Sequence, residues 1–225
     1  TAVMGKKLAK IPADETTECR PTDYYGVTKL EAEKLVREAG GIVVRSADVY
    51  GPGFTEGYYD LFGLIGSGRM RIFGDGKNRI QYVHIRDLMR ALVLAEHFGR
   101  PGEVYIITGP DARTQEELYK MVADRLDVAP PSRHISPWLA KMAAKFKGKE
   151  SFVPIIEKLA ADRVFDISKA KRELGYEPKI TYEVGIGEVI DEYKKEKVRL
   201  DLLRMRKSQQ ASQASSSFES GWESP

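Results

Sequence analysis

The order of apolar patterns along the first half of this chain limits its fold more than any composition figure. An apolar-periodic helix carrying Leu30, Ala32, Leu35 and Val36 runs straight into the unbroken apolar run Gly41-Ile42-Val43-Val44. A helical period followed by a short continuous apolar segment reads as an amphipathic helix feeding a buried strand. The alternation continues downstream. Ile42 to Arg45, Arg71 to Phe73, Tyr82 to Ile85 and Val104 to Thr108 are expected strands. Leu61 to Ile65, Asp87 to His97, Gln115 to Leu126, Pro137 to Lys145, Ser168 to Leu174 and Val184 to Lys197 are expected helices. Strands alternating with helices predict an α/β fold on a parallel sheet.

That first helix opens with Tyr25-Gly26-Val27-Thr28-Lys29. A tyrosine and a lysine four residues apart share one helix face, so a phenol and an ammonium can act together. A free phenol titrates near pH 10, and making it a base near neutrality requires stabilising the tyrosinate by about 4 kcal/mol. One ammonium about 4 Å away supplies roughly that at an effective dielectric of about 20. The pair therefore suits proton transfer to or from a hydroxyl group. A second Tyr-x-x-x-Lys, at Tyr193 and Lys197, lies among Glu192, Lys194, Lys195 and Glu196 and reads as a solvated helix face.

Composition narrows the function classes. With 42% hydrophobic residues in 225, the chain can bury a sizeable core, and a net charge of +3 is too small to argue for nucleic acid. No apolar run approaches the roughly 18 residues of a membrane span. Cys19 is the one cysteine, which excludes a disulfide framework and a cysteine-rich metal site and fits a reducing, cytoplasmic setting. His97 and His134 stand isolated, without partners at metal-ligand spacing.

Five ordered segments carry a resemblance. They are Pro21-Thr22-Asp23-Tyr24-Tyr25-Gly26-Val27-Thr28-Lys29-Leu30-Glu31-Ala32-Glu33, Val44-Arg45-Ser46-Ala47-Asp48-Val49-Tyr50-Gly51-Pro52-Gly53, Phe73-Gly74-Asp75-Gly76, Tyr82-Val83-His84-Ile85-Arg86-Asp87-Leu88, and Asp166-Ile167-Ser168-Lys169-Ala170-Lys171-Arg172-Glu173-Leu174-Gly175-Tyr176-Glu177-Pro178. In this order, across residues 1 to about 195, the chain resembles the extended short-chain dehydrogenase/reductase family, the NAD(P)-dependent epimerase/dehydratase group.

The resemblance implies a Rossmann-type parallel sheet with a smaller C-terminal α/β substrate lobe. Residues 1–50 and 82–109 would belong to the dinucleotide-binding domain, and residues 51–81 and 110–195 to the substrate lobe. It also implies a cofactor, NAD or NADP. Tyr25 would be the acid/base, Lys29 would lower its pKa and hold the ribose, and the backbone of Ser46, Ala47 and Asp48 would approach the nicotinamide. The family's opening strand and Gly-x-x-Gly-x-x-Gly turn, which receive the cofactor pyrophosphate, have no counterpart before the Tyr25 helix. Gly63-Leu64-Ile65-Gly66-Ser67-Gly68 has the wrong spacing and reads as a loop before the next strand. Thr1-Ala2-Val3-Met4-Gly5 looks like the tail of the family's Ser-x-x-x-Val-Tyr-Gly segment. On that alignment the catalytic Ser/Thr falls one residue before Thr1, and a one-residue shift would make it Thr1. The expectation is a truncated record, the C-terminal two thirds of an enzyme.

Other residues carry two readings each. Arg79 lies near the position where nucleotide-sugar epimerases place an arginine on the substrate diphosphate, or is a surface arginine at a strand end. Asp48 replaces the family's usual asparagine, and its charge would disfavour an anionic substrate close by. Tyr58, in Phe54-Thr55-Glu56-Gly57-Tyr58-Tyr59, follows the end of a strand, where open α/β folds bind ligands. His84 and Asp87 mark a strand-to-helix junction, with Asp87 as the expected N-cap and no metal assigned.

The last segment changes character. The stretch from Lys194 to Lys207 is basic and includes Val198, Leu200, Leu202, Leu203 and Met205; it is expected to extend the last helix. From Lys207 a Ser/Gln-rich segment is expected to be disordered, giving residues 196–225 a helix extension and a tail. The functional expectation is an NAD(P)-dependent epimerase or dehydratase on a small-molecule substrate, most simply a nucleotide sugar, as a possible homodimer. Two alternatives stand: an oxidoreductase of the 3β-hydroxysteroid dehydrogenase or dihydroflavonol reductase kind, suggested by Pro101 to Gly109 and Pro137 to Ala140, or a non-catalytic fragment or interaction protein.

Overall fold

A computed structural model describes residues 1–54, 57–148 and 150–219, apart from the side chains of residues 201 and 204–219. After a 3₁₀ turn at Ala2–Met4 come α1 (Tyr24–Glu38), β1 (Val43–Ser46), β2 (Asp48–Tyr50), α2 (Tyr58–Gly66), β3 (Ile72–Phe73), β4 (Arg79–Ile80), β5 (Tyr82–His84) and α3 (Ile85–Phe98). The second half holds β6 (Val104–Ile107), β7 (Arg113–Thr114), α4 (Gln115–Leu126), β8 (His134–Ile135), α5 (Pro137–Phe146), α6 (Val153–Leu159), α7 (Ser168–Leu174) and α8 (Tyr182–Glu219). The expected elements are present with shifts of a few residues at their ends, while the short strands β2, β4, β7 and β8 and the helix α6 were not expected.

The strands pair across long sequence separations. β1 lies parallel to β6 with Val43 opposite Val104 and Ser46 opposite Ile107, and β2 lies parallel to β5 with Asp48 opposite Tyr82. β3 and β8 are parallel, while β4 and β7 are antiparallel. All four residues of β6 are buried, which is why Val104, Tyr105, Ile106 and Ile107 form an unbroken apolar run.

Two apolar cores flank this framework. The first gathers Val3, Met4, Ala47, Val83, Ala91 and Ile106. The second gathers Tyr50, Phe62, Ile80, Tyr119, Tyr182 and Ile190. One segment departs from the expected lobes: Phe165, Ile167, Ala170, Leu174 and Tyr176 pack in the first core, although 110–195 was expected to be one substrate lobe. Backbone pairing accounts for it, since Ala13 N donates to Val164 O at 2.9 Å and Asp166 N to Ala13 O at 2.8 Å.

Local chemistry sets the helix ends. The Asp23 carboxylate caps α1 by accepting from Gly26 N at 2.8 Å. Thr114 and Glu117 form a reciprocal capping box at the start of α4. At α3 the N-cap is His84, whose Nδ1 accepts from Arg86 N, rather than Asp87. Asp87 is fully buried and accepts from the Lys179 and Ile180 amides at 3.0 Å, a long-range role that a local pattern cannot show.

Three further expectations change. Gly63 to Gly66 form the last turn of α2, not a loop; the helix ends at Ser67. Tyr193 is partly buried against Tyr59 and Phe62, with ring centroids 5.1 and 5.5 Å away, so it is a packing residue rather than part of a solvated face. The disorder expected from Lys207 gives way to helix through Glu219, because no glycine or proline interrupts α8 after Gly187 and extending a formed helix is far easier than nucleating one. Residues 220–225 of that tail, and Thr55 and Glu56 of the expected ligand loop, lie outside the described residues.

Candidate functional site

The N-terminal segment, α1 and the edge of β1 enclose a groove of about 380 Å³. Among its lining residues are Thr1, Tyr25, Lys29, Glu33, Arg45 and Ser46. Four-residue spacing puts Tyr25, Lys29 and Glu33 on one face of α1, and the Lys29 ammonium lies 5.5 Å from the centre of the Tyr25 ring. Tyr25 is 61% exposed, so its phenol is open to a ligand. Gly26 keeps this face close to the N-terminal segment: a Cβ there would sit 2.9 Å from Pro21 Cβ and 3.0 Å from Ala2 O.

Beneath the groove is a buried ion pair. Arg45 Nε and Nη2 donate to the Glu33 carboxylate at 2.9 and 2.6 Å, with both side chains more than nine-tenths buried. A bidentate, charge-assisted geometry satisfies both groups in a low dielectric. Neighbouring Cys19 is half-buried, and burial pushes its thiol above the ordinary range despite the nearby Arg45 charge, which makes it a poor nucleophile.

The remaining expected site residues divide. Ser46 lines the groove, and its carbonyl accepts from the Thr1 nitrogen. Ala47 is buried, its amide donating to Ile107 O at 2.8 Å. Asp48 pairs with Lys158 of α6 at 2.8 Å. That neighbour offsets the carboxylate charge, so the argument that Asp48 repels an anionic substrate loses force. Tyr58 does not sit in an open ligand loop: it is the first residue of α2, its hydroxyl donates to Val49 O at 2.9 Å, and it lines an apolar cavity in the second core. Burial drives its phenol well above the usual tyrosine range. Arg79 is exposed on β4 and is not part of the groove lining.

Three participants were missed. Glu33 and Arg45 could have been suspected, since Glu33 extends the Tyr25/Lys29 spacing by one turn and Arg45 follows the apolar run Ile42-Val43-Val44. Arg163 gave no local signal. It is buried, donates to Gly5 O at 2.8 Å and to Thr1 Oγ1 at 3.1 Å, and so ties the groove's first residue to the distant 163–166 segment. Among the described residues no group of three or more His, Cys, Asp or Glu side chains could hold a metal.

Comparison with known proteins gives a consistent picture. Residues 1–108 match the model of the NAD dependent epimerase/dehydratase family. The chain is 28% identical over 212 residues to 3beta-hydroxysteroid-dehydrogenase/decarboxylase isoform 1 of Arabidopsis thaliana, covering 80% of this chain and 48% of that protein. It is also 28% identical over 173 residues to the UDP-glucose 4-epimerase of Vibrio cholerae, covering 73% and 52%. Among solved structures, UDP-glucose 4-epimerase of Thermotoga maritima with UDP-glucose aligns at TM-score 0.63 and 28% identity, over 88% of this chain and 61% of that one. The chain thus spans about half the length of these curated relatives.

Proposed function

We propose, for a chain whose residues 1–108 belong to the NAD dependent epimerase/dehydratase family, that the whole protein is an NAD- or NADP-dependent enzyme acting on a secondary alcohol or its ketone. The observation that carries this reading is the shared groove of Tyr25, Lys29 and the Ser46 strand end. Tyr25 exchanges the hydroxyl proton of the substrate. Lys29 would stabilise the phenolate through its charge and hold the ribose by hydrogen bonds to its hydroxyls. The Ser46–Asp48 backbone would border the nicotinamide, with Ser46 lining the groove. When bound, the nicotinamide supplies the hydride chemistry.

Tyr25 and Lys29, both exposed on the groove, suit the ribose end of such a cofactor, with a positive charge at Lys29. Among the described residues no glycine-rich strand-to-helix turn matches the pyrophosphate site that dinucleotide folds use.

For the substrate we favour a nucleotide sugar, because a UDP-glucose 4-epimerase and dTDP-glucose 4,6-dehydratases are among the relatives. In that reading Arg79 meets the diphosphate. The second reading, a net oxidoreductase on a less polar alcohol, is favoured by the Arabidopsis hydroxysteroid relative and by the absence of Arg79 from the groove lining. Cofactor fate separates the two. Incubated with NAD or NADP, a nucleotide-sugar epimerase or dehydratase turns over without net reduced nicotinamide, whereas an oxidoreductase accumulates it with hydroxysteroid-like alcohols. No turnover of either substrate class by the whole protein would overturn both readings.

A further inference from the structure

The helix α5 is built inside out. Its buried side is small, with Ala140 at 8% exposure and Ala144 partly buried, while Trp138, Leu139 and Phe146 are 64%, 54% and 84% exposed. Trp138, Met142 and Phe146 recur every four residues, so they form one stripe along the helix. An ordinary surface helix turns such a stripe to the core. On the facing helix, Ile155 of α6 adds another exposed apolar side chain, at 49%. Met142 is partly buried within the stripe, and an exposed aromatic and aliphatic face of this kind on α5 marks an interaction surface.

Charge identifies what it meets. From Pro137 to Lys147 there are three lysines, Lys141, Lys145 and Lys147, and no acidic residue. Lys141 pairs with Glu157 at 3.2 Å and holds α5 on α6, while Lys145 and Lys147 are exposed beside the apolar stripe. Two copies of this chain meeting face to face would set lysine against lysine, which disfavours a self-association surface. An apolar stripe with a tryptophan, flanked by cations, matches the boundary between anionic headgroups and acyl chains. Among the described residues no helix is long and apolar enough to cross a membrane, so any contact is in the plane of the surface.

We propose that the α5–α6 hairpin docks flat on an anionic lipid surface. The hairpin is fixed to the body: Lys158 pairs with Asp48, and the Leu159 carbonyl accepts from Asn78 Nδ2 at 2.8 Å and Gln115 Nε2 at 2.6 Å. Docking therefore holds the whole molecule in one orientation, independently of the reaction proposed above.

The test is co-sedimentation of the 225-residue chain with vesicles of phosphatidylcholine, with and without phosphatidylglycerol. Binding is expected only with phosphatidylglycerol present. In a Trp222→Phe background, the emission of Trp138 should shift to the blue on binding, as the indole leaves water. Trp138→Ser/Phe146→Ser should reduce pelleting by roughly tenfold or more. Both side chains are exposed, so the folded state should survive, as a circular dichroism melt would verify. A second variant, Lys194→Gln/Lys195→Gln/Lys197→Gln, addresses the other basic stretch. Pelleting that survives the hairpin substitutions, a Trp138 emission that does not move, or concentration-dependent dimerisation without vesicle binding would each overturn the proposal.

Discussion

Tyr25 and Lys29 owe their pairing to helix geometry alone, but their setting comes from Glu33 and Arg45 one turn further along the groove. If Tyr25 carries the proton, Tyr25→Phe in the whole protein should lower turnover by roughly 10²-fold or more, the usual scale for a lost general base. A steady-state assay within a few-fold of wild type would remove Tyr25 from that role. The Glu33–Arg45 pair is tested through stability. Removing one partner leaves the other charge buried and alone, so Arg45→Met or Glu33→Gln should each cost about 3–5 kcal/mol. Chemical denaturation of the single variants would measure this, and a loss below about 1 kcal/mol would mean that water reaches the pair more freely than its burial suggests.

At the scale of elements, caps and close approaches fix how the helices sit. Thr114 receives the Glu117 amide at 3.2 Å, and the Glu117 carboxylate receives the Thr114 amide at 2.8 Å. Thr114→Ala should therefore destabilise α4 by about 0.5–2 kcal/mol, visible as a lower urea midpoint with an unchanged slope. The long helix α8 crosses the strands at Gly185, where an added Cβ would lie 2.6 Å from Tyr50 Oη and 2.9 Å from His84 Cδ2. Both neighbours are buried ring systems that cannot swing away. Gly185→Ala should cost about 1–3 kcal/mol, an overpacking penalty that outweighs the better helix propensity of alanine. Equal or greater stability of the alanine variant would show that α8 can slide on the strands.

For the whole molecule, pH reports on that same junction. His84 is buried beneath α8, its Nε2 3.4 Å from Glu188 Oε2, with Arg86 and Asp87 also near. Desolvation holds its pKa below the ordinary value of 6.5; Glu188 and Asp87 oppose this and Arg86 adds to it. The unfolded chain then binds more protons than the folded one in the window below pH 6.5. Stability is complete above that value and falls as pH drops through the window toward the folded pKa. Asp14 and Asp166, whose carboxylates are held low chiefly by hydrogen bonds from Lys10 and Ser168 respectively, act in the same direction at more acid pH. The buried Thr1 amine, its pKa lowered to about 5 by desolvation, acts in the same window and direction, so urea midpoints measured between about pH 5 and 7 should decline toward acid in wild type and less steeply in His84→Asn. A slope as steep in the variant as in wild type would assign the effect to groups other than His84.

The sequence by itself determined what depends on neighbours within a few residues. Hydrophobic period marked every α-helix except α6 and the strands β1, β3, β5 and β6, and helix spacing set Tyr25 beside Lys29. Ordered motifs revealed the parallel α/β family fold. What only the tertiary structure decided involves partners far apart in the chain. Asp87 reads locally as a cap yet binds amides 92 and 93 residues away, and Tyr58 reads as a loop residue yet starts α2 and lines an apolar cavity of the second core. Asp48 reads as an exposed negative charge yet is matched by Lys158, and Arg163 carries no local signal yet anchors Thr1. The physical reason is common to these cases. Periodicity and capping are encoded in short-range sterics and hydrogen bonds, whereas the burial of a polar group is decided by which distant segment arrives to satisfy it.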